Sequence, residues 1–374
     1  KSEVLYSPED GNLIYYNYST ADNIFAVIST HNDGQNYIEI IQPDGQLLSS
    51  HQIEYPPEIP NLRFVYPTFT PTSEQLIFST GRQLFTLSFK GKITNISLPL
   101  DEPMSSPVFH PNGKRMLVTK GIWDSDIAML ALPQVTDTQL TQVGQTLIKK
   151  ELEFSILERS TAGEENAIYQ PHGGLIAFTS ERSGVEQIWI TGGNGTQQLT
   201  HFPIDTYIYG LDWAADGQSI LVNANGVLTQ VYLNADQKDF PFEHRIQKLF
   251  HWDSESNTVL MIARIKGILK FGELNLSNSA FRVITDKKVN WALKSEDDRL
   301  VYTDNMDRFW QPGPTEDQLI APLDNQGSNK RFITKGNVLY GINEEFQLWS
   351  YDLNKDTLKT LGRMPKTCLL YKTH

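Results

Sequence analysis

The sequence predicts an all-β fold: a β-propeller of four-stranded antiparallel blades, eight in number, with seven as the alternative. Three observations predict it. Short β-runs rich in Tyr, Phe, Trp, Ile, Val and Thr are cut throughout by Gly, Asn and Pro turns. One turn-and-strand signature recurs at an interval near 40 residues, the span of a four-stranded blade. No helix-rich segment is long enough to form a separate catalytic domain.

Each copy of the signature is anchored on a residue two positions before the turn Pro or its equivalent. The same anchor lies seven positions before an apolar residue of the next β-run. The anchors are Phe69, Phe109, Tyr169, Trp213, Trp252, Leu293 and Phe332, at spacings of 40, 60, 44, 39, 41 and 39 residues. Tyr6 opens an eighth copy, with the same seven-residue step to Leu13, and lies 63 residues before Phe69. A lone Pro-x-Gly turn occurs in every β-protein, but eight copies in near-register do not arise by chance. A single blade cannot bury both faces, whereas a ring of blades buries each against its neighbours and leaves only short edges. The reading treats 1–374 as one domain with blades at about 1–55, 61–100, 104–150, 164–202, 206–240, 244–285, 287–324 and 329–363. A strand at about 367–372 is expected to close the ring against Val4 to Ser7.

The best-preserved copy runs from Ala167 to Thr200. It carries a Pro-His-Gly-Gly turn, a β-run, a Ser-Glu-Arg-Ser-Gly turn, a second β-run and a closing Gln-Leu-Thr. With Phe178, Ser180, Arg182, Gly184, Gln187, Ile188, Trp189 and Gln198-Leu199-Thr200 in place, it resembles the TolB-like propeller repeat. The copies at Phe109 and Trp213 keep the Asn-Gly or Asp-Gly turn, while those at Trp252, Leu293 and Phe332 rest on spacing and strand pattern. The resemblance covers essentially the whole chain and is specific in about half of it.

Composition excludes several classes of function. The net charge of −12 and pI near 5.2 argue against nucleic-acid binding by this segment, which needs clustered Lys and Arg. The short basic runs Lys149-Lys150, Lys287-Lys288 and Lys330-Arg331 read as solvated turns or guarded edges. No run of 18 apolar residues exists to span a membrane. The single cysteine, Cys368, forms no intramolecular disulfide and reads as a packed strand residue rather than a reactive thiol. Sequons at Asn17, Asn95, Asn194 and Asn275 matter only in a source that glycosylates secreted proteins. From Pro133 to Gly163 an insertion departs from the repeat, and apolar Leu152, Phe154 and Ile156 favour a strand within it. As a loop-face excursion it is a candidate contact surface for another chain.

The sequence holds no constellation that carries chemistry. It lacks a Gly-x-Ser-x-Gly elbow, His-Glu-x-x-His, a Cys/His cluster, a phosphate-cradling loop and a dinucleotide fingerprint. The segments Asn32–Asn36 and Asp324–Ser328 look faintly like calcium loops but lack the acidic ladder of one and read as turns. The chain is therefore read as no enzyme, with no catalytic residue, no cofactor and no metal. Ligand or partner contact is expected at His110, His172, Asp212 and His251, which sit beside repeat anchors. His titrates near neutrality, so a pH-responsive or metal-ligating role is one reading. The other is that turn histidines are merely exposed, and their positions in the repeat are not equivalent. Asp212, Asp124 and Asp126 are read as adding acidity at a tunnel mouth or, more simply, as capping hairpins.

The expected function is a non-catalytic sensory or protein-interaction module. The resemblance implies a bacterial envelope setting, as the periplasmic C-terminal half of a one-component regulator resembling the ToxR/CadC group. A winged-helix DNA-binding domain and one membrane helix would then precede Lys1. The partner is expected to be a protein or peptide at the propeller face, with the membrane reached only through a removed anchor and a homodimer in the full-length protein. One alternative is a TolB-like periplasmic scaffold binding a partner at the tunnel mouth. Another is the propeller of a peptidase or carbohydrate-active enzyme.

Overall fold

The computed structural model describes residues 4–8, 12–31, 35–55, 65–71, 74–79, 83–96, 104–110, 112–120, 125–130, 152–193, 195–204, 206–266, 268–324, 326 and 332–364. Among the described residues the strands form seven four-stranded sheets and two two-stranded ones. The chain is all-β, a β-propeller of antiparallel four-stranded blades. Two compact units are distinguished: Lys1–Trp123 with Arg264–Ile268, and Asp124–Ala263 with Leu269–His374.

In the first unit, β1 (Asn12–Ser19), β2 (Ile24–Thr30), β3 (Asn36–Ile41) and β4 (Leu47–Gln52) form one sheet. A second comprises β5 (Val65–Phe69), β6 (Gln75–Ser79), β7 (Leu84–Ser88) and β8 (Ile93–Asn95). The hairpin β9 (Met104–Phe109) with β10 (Met116–Lys120) follows. Period-two alternation aims Ala26, Ile28, Ile38 and Ile40 at Leu76, Phe78, Phe85 and Leu87 of the next sheet. The core therefore lies between sheets, not within one. Each such buried side chain contributes about 1.5–3 kcal/mol that a lone sheet would forfeit.

The second unit begins with the hairpin β11 (Ile127–Leu130) and β12 (Phe154–Glu158). β12 realises the strand expected inside the insertion. Among the described residues the third repeat is thus two two-stranded sheets rather than one of four. On β10, Leu117 is left 76% exposed. Four complete sheets with a fifth then follow. They are β13 (Glu164–Tyr169), β14 (Ile176–Ser180), β15 (Gln187–Thr191), β16 (Gln197–Gln198); β17 (Ile208–Trp213), β18 (Ser219–Ala224), β19 (Val227–Tyr232), β20 (Gln237–Phe240); and β21 (Arg245–Asp253), β22 (Thr258–Ile265), β23 (Ile268–Asn275), β24 (Phe281–Thr285). The last two are β25 (Val289–Lys294), β26 (Leu300–Asp304), β27 (Phe309–Gln311), β28 (Gln318–Leu319); and β29 (Phe332–Lys335), β30 (Val338–Ile342), β31 (Gln347–Asp352), β32 (Thr357–Arg363). Again the cores are shared: Phe250 and Phe271 pack with Ala292 and Tyr302, and Val301 and Phe309 with Phe332 and Trp349.

The first strands of successive sheets pack side by side, and side chains staple them to neighbouring carbonyls. Trp213 Nε1 donates to Ile168 O at 3.3 Å, Lys248 Nζ to Asn290 O at 2.9 Å and Trp291 Nε1 to Phe332 O at 2.8 Å. In the first unit, Thr68 Oγ1 donates to Pro107 O at 2.6 Å. Most first strands also carry a bulge, as between Val65 and Thr68, Glu165 and Ile168, and Ile208 and Leu211. A bulge bends a strand where it converges on its neighbours. Gly210 sits in one at φ +124°, and a Cβ there would overlap Leu249 O of the adjacent first strand.

Two expectations meet the limits of the described residues. The closing strand at 367–372, with Cys368, lies outside them, as does 131–151 of the insertion. Val4 to Ser7, its expected partner, form no strand. Asp124, Lys149-Lys150, Lys330-Arg331 and most of the two calcium-like segments also lie outside. Among the described residues no helix is long and apolar enough to cross a membrane.

Candidate functional site

Each first strand ends in the tight turn that the repeat signature encodes, and in the second unit several neighbouring turns are bonded across blades. Gln170 Nε2 donates to Gly217 O at 2.8 Å, and the Ala215 amide donates to Ser254 Oγ at 2.8 Å. The Glu296 amide donates to Gly336 O at 3.1 Å and the Asp297 amide to Asn337 Oδ1 at 3.2 Å. Backbone N–H groups that a turn would otherwise leave to water thereby lock neighbouring blades together. Loops on so fixed a scaffold are the ordinary place for recognition.

The structure brings two of the four expected residues into contact here. Asp212 and His251 each precede the anchor tryptophan of their blade, so the repeat sets them at the same level on β17 and β21. His251 Nδ1 lies 2.7 Å from Asp212 Oδ2, which also accepts the Trp252 amide at 2.8 Å. Asp212 Oδ1 accepts the Trp213 amide at 3.0 Å. Two backbone N–H groups from two strands thus orient the carboxylate before the imidazole meets it. Burial pulls the His251 pKa down, but the hydrogen bond and charge of Asp212 outweigh it and the net shift is upward, with Lys294 opposing. The ring is about one-third exposed, and its Nε2 makes no hydrogen bond among the described residues.

Lys294, on β25, continues the chain of charges. Its Nζ contacts Glu273 Oε1 at 3.1 Å and Asp298 Oδ1 at 3.0 Å. Burial depresses the ammonium pKa, the two carboxylates raise it, and the balance keeps it above its usual value. Glu273 is held below the ordinary carboxylate range despite burial, because Arg282 and Lys294 both bond it.

The other two expected residues sit in the turns of their own repeats. His172 occupies the left-handed position of the Gln170–Leu175 turn, at φ +54°. His110, in the first unit, accepts the Asn112 amide on Nδ1 at 3.2 Å and caps its own turn. Asp126 pairs with exposed Arg159 at 2.9 Å. Among the described residues no three His, Cys, Asp or Glu side chains are placed to hold a metal ion.

Two polar centres carry no clear sequence signal. Arg182 lies over Phe178 and Trp189 and reaches Glu164 Oε1 at 3.0 Å and Glu158 Oε2 at 3.3 Å, tying β12 to the following sheet. Glu158 also accepts hydroxyls of Thr191 and Thr196, and its pKa falls although burial opposes this. The Ser-x-Arg turn therefore does more than close a hairpin. In the same β14–β15 turn, Glu186 accepts the Ile208 amide at 2.8 Å. Burial, with the charges of Glu181 and Glu165, pushes its pKa up to about 8. The local Val-Glu-Gln-Ile run gives no hint of that.

The sequence matches no family model and no curated protein. Solved structures similar to it include a nidogen/laminin complex, at 11% identity and TM-score 0.48, covering 66% of this chain and 93% of that one. TolB from Acinetobacter baumannii is similar at 11% identity and TM-score 0.38, covering 92% and 78%. Oligogalacturonate lyase from Vibrio parahaemolyticus is similar at 10% identity and TM-score 0.34, covering 79% and 87%. Likenesses this distant carry no information about activity or partner.

Proposed function

We propose that the chain is a non-catalytic interaction module that receives a protein or peptide on the bonded row of first-strand turns. What carries the reading is that row itself. Neighbouring turns are fixed to one another by hydrogen bonds between main-chain and side-chain groups, yet their tips face solvent and are rich in carboxylates. Asp216, Glu255, Glu296, Asp297 and Asp298 all sit there, at half-buried Asp253 and the Asp212–His251 pair. A rigid acidic surface of this kind selects partners bearing Lys and Arg, and speeds their approach.

The setting we infer is periplasmic: the sensor segment of a membrane-anchored one-component transcriptional regulator whose DNA-binding part lies outside these 374 residues. The sequence of the full gene product tests it. A basic winged-helix pattern followed by about 20 apolar residues supports the regulator. A cleavable signal peptide points instead to a periplasmic scaffold, and a downstream Gly-x-Ser-x-Gly domain to a peptidase. The binding surface is tested by a peptide array probed with the purified chain. Bound peptides are expected to be enriched in Lys and Arg, and the triple variant Asp216→Lys, Glu255→Lys, Glu296→Lys to lose that preference. An unchanged preference would refute the surface.

A further inference from the structure

We propose that Asp212 and His251 form a proton-operated latch between two neighbouring blades, held tight while the imidazole is protonated and loosened when it is neutral. The inference needs no assumption about what the turns bind. The 2.7 Å separation between Nδ1 and Oδ2 is that of a charge-assisted hydrogen bond. The carboxylate cannot swing away, because the Trp213 and Trp252 amides hold both of its oxygens. It bridges strands that belong to different sheets, and the Ala215–Ser254 bond joins the same two blades one turn further on. The pair therefore sits where two rigid bodies meet.

The surroundings leave His251 as the group that changes charge. From β25, Lys294 faces it, already compensated by Glu273 and Asp298. From its own strand, Asp253 adds negative charge. β18 contains no Asp, Glu, Lys, Arg or His, and neither does β19; β22 carries only Arg264, at the end remote from the Asp253–Thr258 turn. On deprotonation the Nε2 proton leaves to water through the exposed edge of the ring. The Nδ1 proton stays on its bond to Asp212, and that bond passes from ion–ion to neutral–ion character. Losing the ring charge removes the attraction between two opposite unit charges in a partly buried pair, so opening of the contact should become about tenfold more frequent. Because Asp212 shifts the ring upward overall, the change falls at or above the ordinary imidazole range.

Hydrogen exchange of the Ala215 and Trp252 amides, measured at about pH 6 and pH 8 and corrected for intrinsic rates, tests the latch. The wild-type chain should show an opening step of about tenfold between the two pH values. His251→Gln should show fast opening at both and no step. A wild-type chain without the step, or a step that survives in His251→Gln, overturns the proposal. Should the variant fail to fold, the ring signals of the wild-type chain decide. His251 is expected to titrate above the ordinary imidazole value, and a titration at or below that value overturns the latch.

Discussion

Replacing Gln187 with Ala should unfasten the outermost strand of its blade. Gln187 is 3% exposed and Thr200 fully buried. Gln187 Oε1 accepts the Thr200 hydroxyl at 2.8 Å and the Phe202 amide at 2.8 Å, while Nε2 donates to Phe202 O at 3.0 Å. Thr200 Oγ1 in turn accepts the Ile188 amide at 2.9 Å. These bonds stand in for a ladder that β16, only two residues long, is too short to supply. Truncation removes three hydrogen bonds at about 1 kcal/mol each and leaves the half-buried Phe202 main-chain groups unpaired, so the loss should be about 3–5 kcal/mol. Thr200→Val keeps the shape but strands the Ile188 amide, at about 2 kcal/mol. The bond between the two side chains is lost only once, so the double variant should fall short of the sum by about 1 kcal/mol. Native-state exchange of the Leu199 amide, which donates to Ile188 O at 2.8 Å, reads the local opening directly. A Gln187→Ala cost under about 0.5 kcal/mol, or strict additivity, would refute the clamp.

Three further outcomes follow from single sites. Glu186 keeps its proton in the folded chain up to about pH 8, whereas the unfolded chain releases it near 4.5. The folded state thus binds the extra proton in that window, stability falls as pH rises through it, and Glu186→Gln should flatten that fall in a thermal-melt series. Arg182→Ala leaves Glu164, which is fully buried, facing Glu158 without a cation, and should cost about 3–5 kcal/mol by urea unfolding. Arg182→Lys should restore only part, because one ammonium cannot fork to two carboxylates. In Gly341→Ala the new methyl would overlap the Trp349 ring, which is 1% exposed and bonded through Nε1 to Gln326 O at 3.1 Å. The ring must move, so a loss of about 1–3 kcal/mol and a changed near-UV tryptophan signal are expected.

Much of the fold is legible in the chain because a propeller is a local code repeated. The anchor residue, the turn and the two alternating β-runs each concern fewer than a dozen neighbours. The insertion's apolar alternation likewise located β12. The bulges were not legible, since Gly210 or Asn166 at positive φ looks like any turn residue until the neighbouring strand is known. The Asp212–His251 contact was half legible. Both precede an anchor tryptophan one repeat apart, so the spacing alone makes them equivalent, while His110 and His172 occupy other repeat positions. Glu186 and the partners of Arg182 were hidden because burial and charge there come from strands remote in sequence.

Site-specific photocrosslinking in the native host tests the central claim, that the row of first-strand turns is the surface that meets a partner. A photoreactive residue placed at Asp216, Glu255 or Glu296 is predicted to trap one discrete protein or peptide. The same probe at Val283 or Leu319, exposed on the outer strands β24 and β28, is predicted to trap none. Adducts from the outer-strand positions with none from the turns would contradict the account.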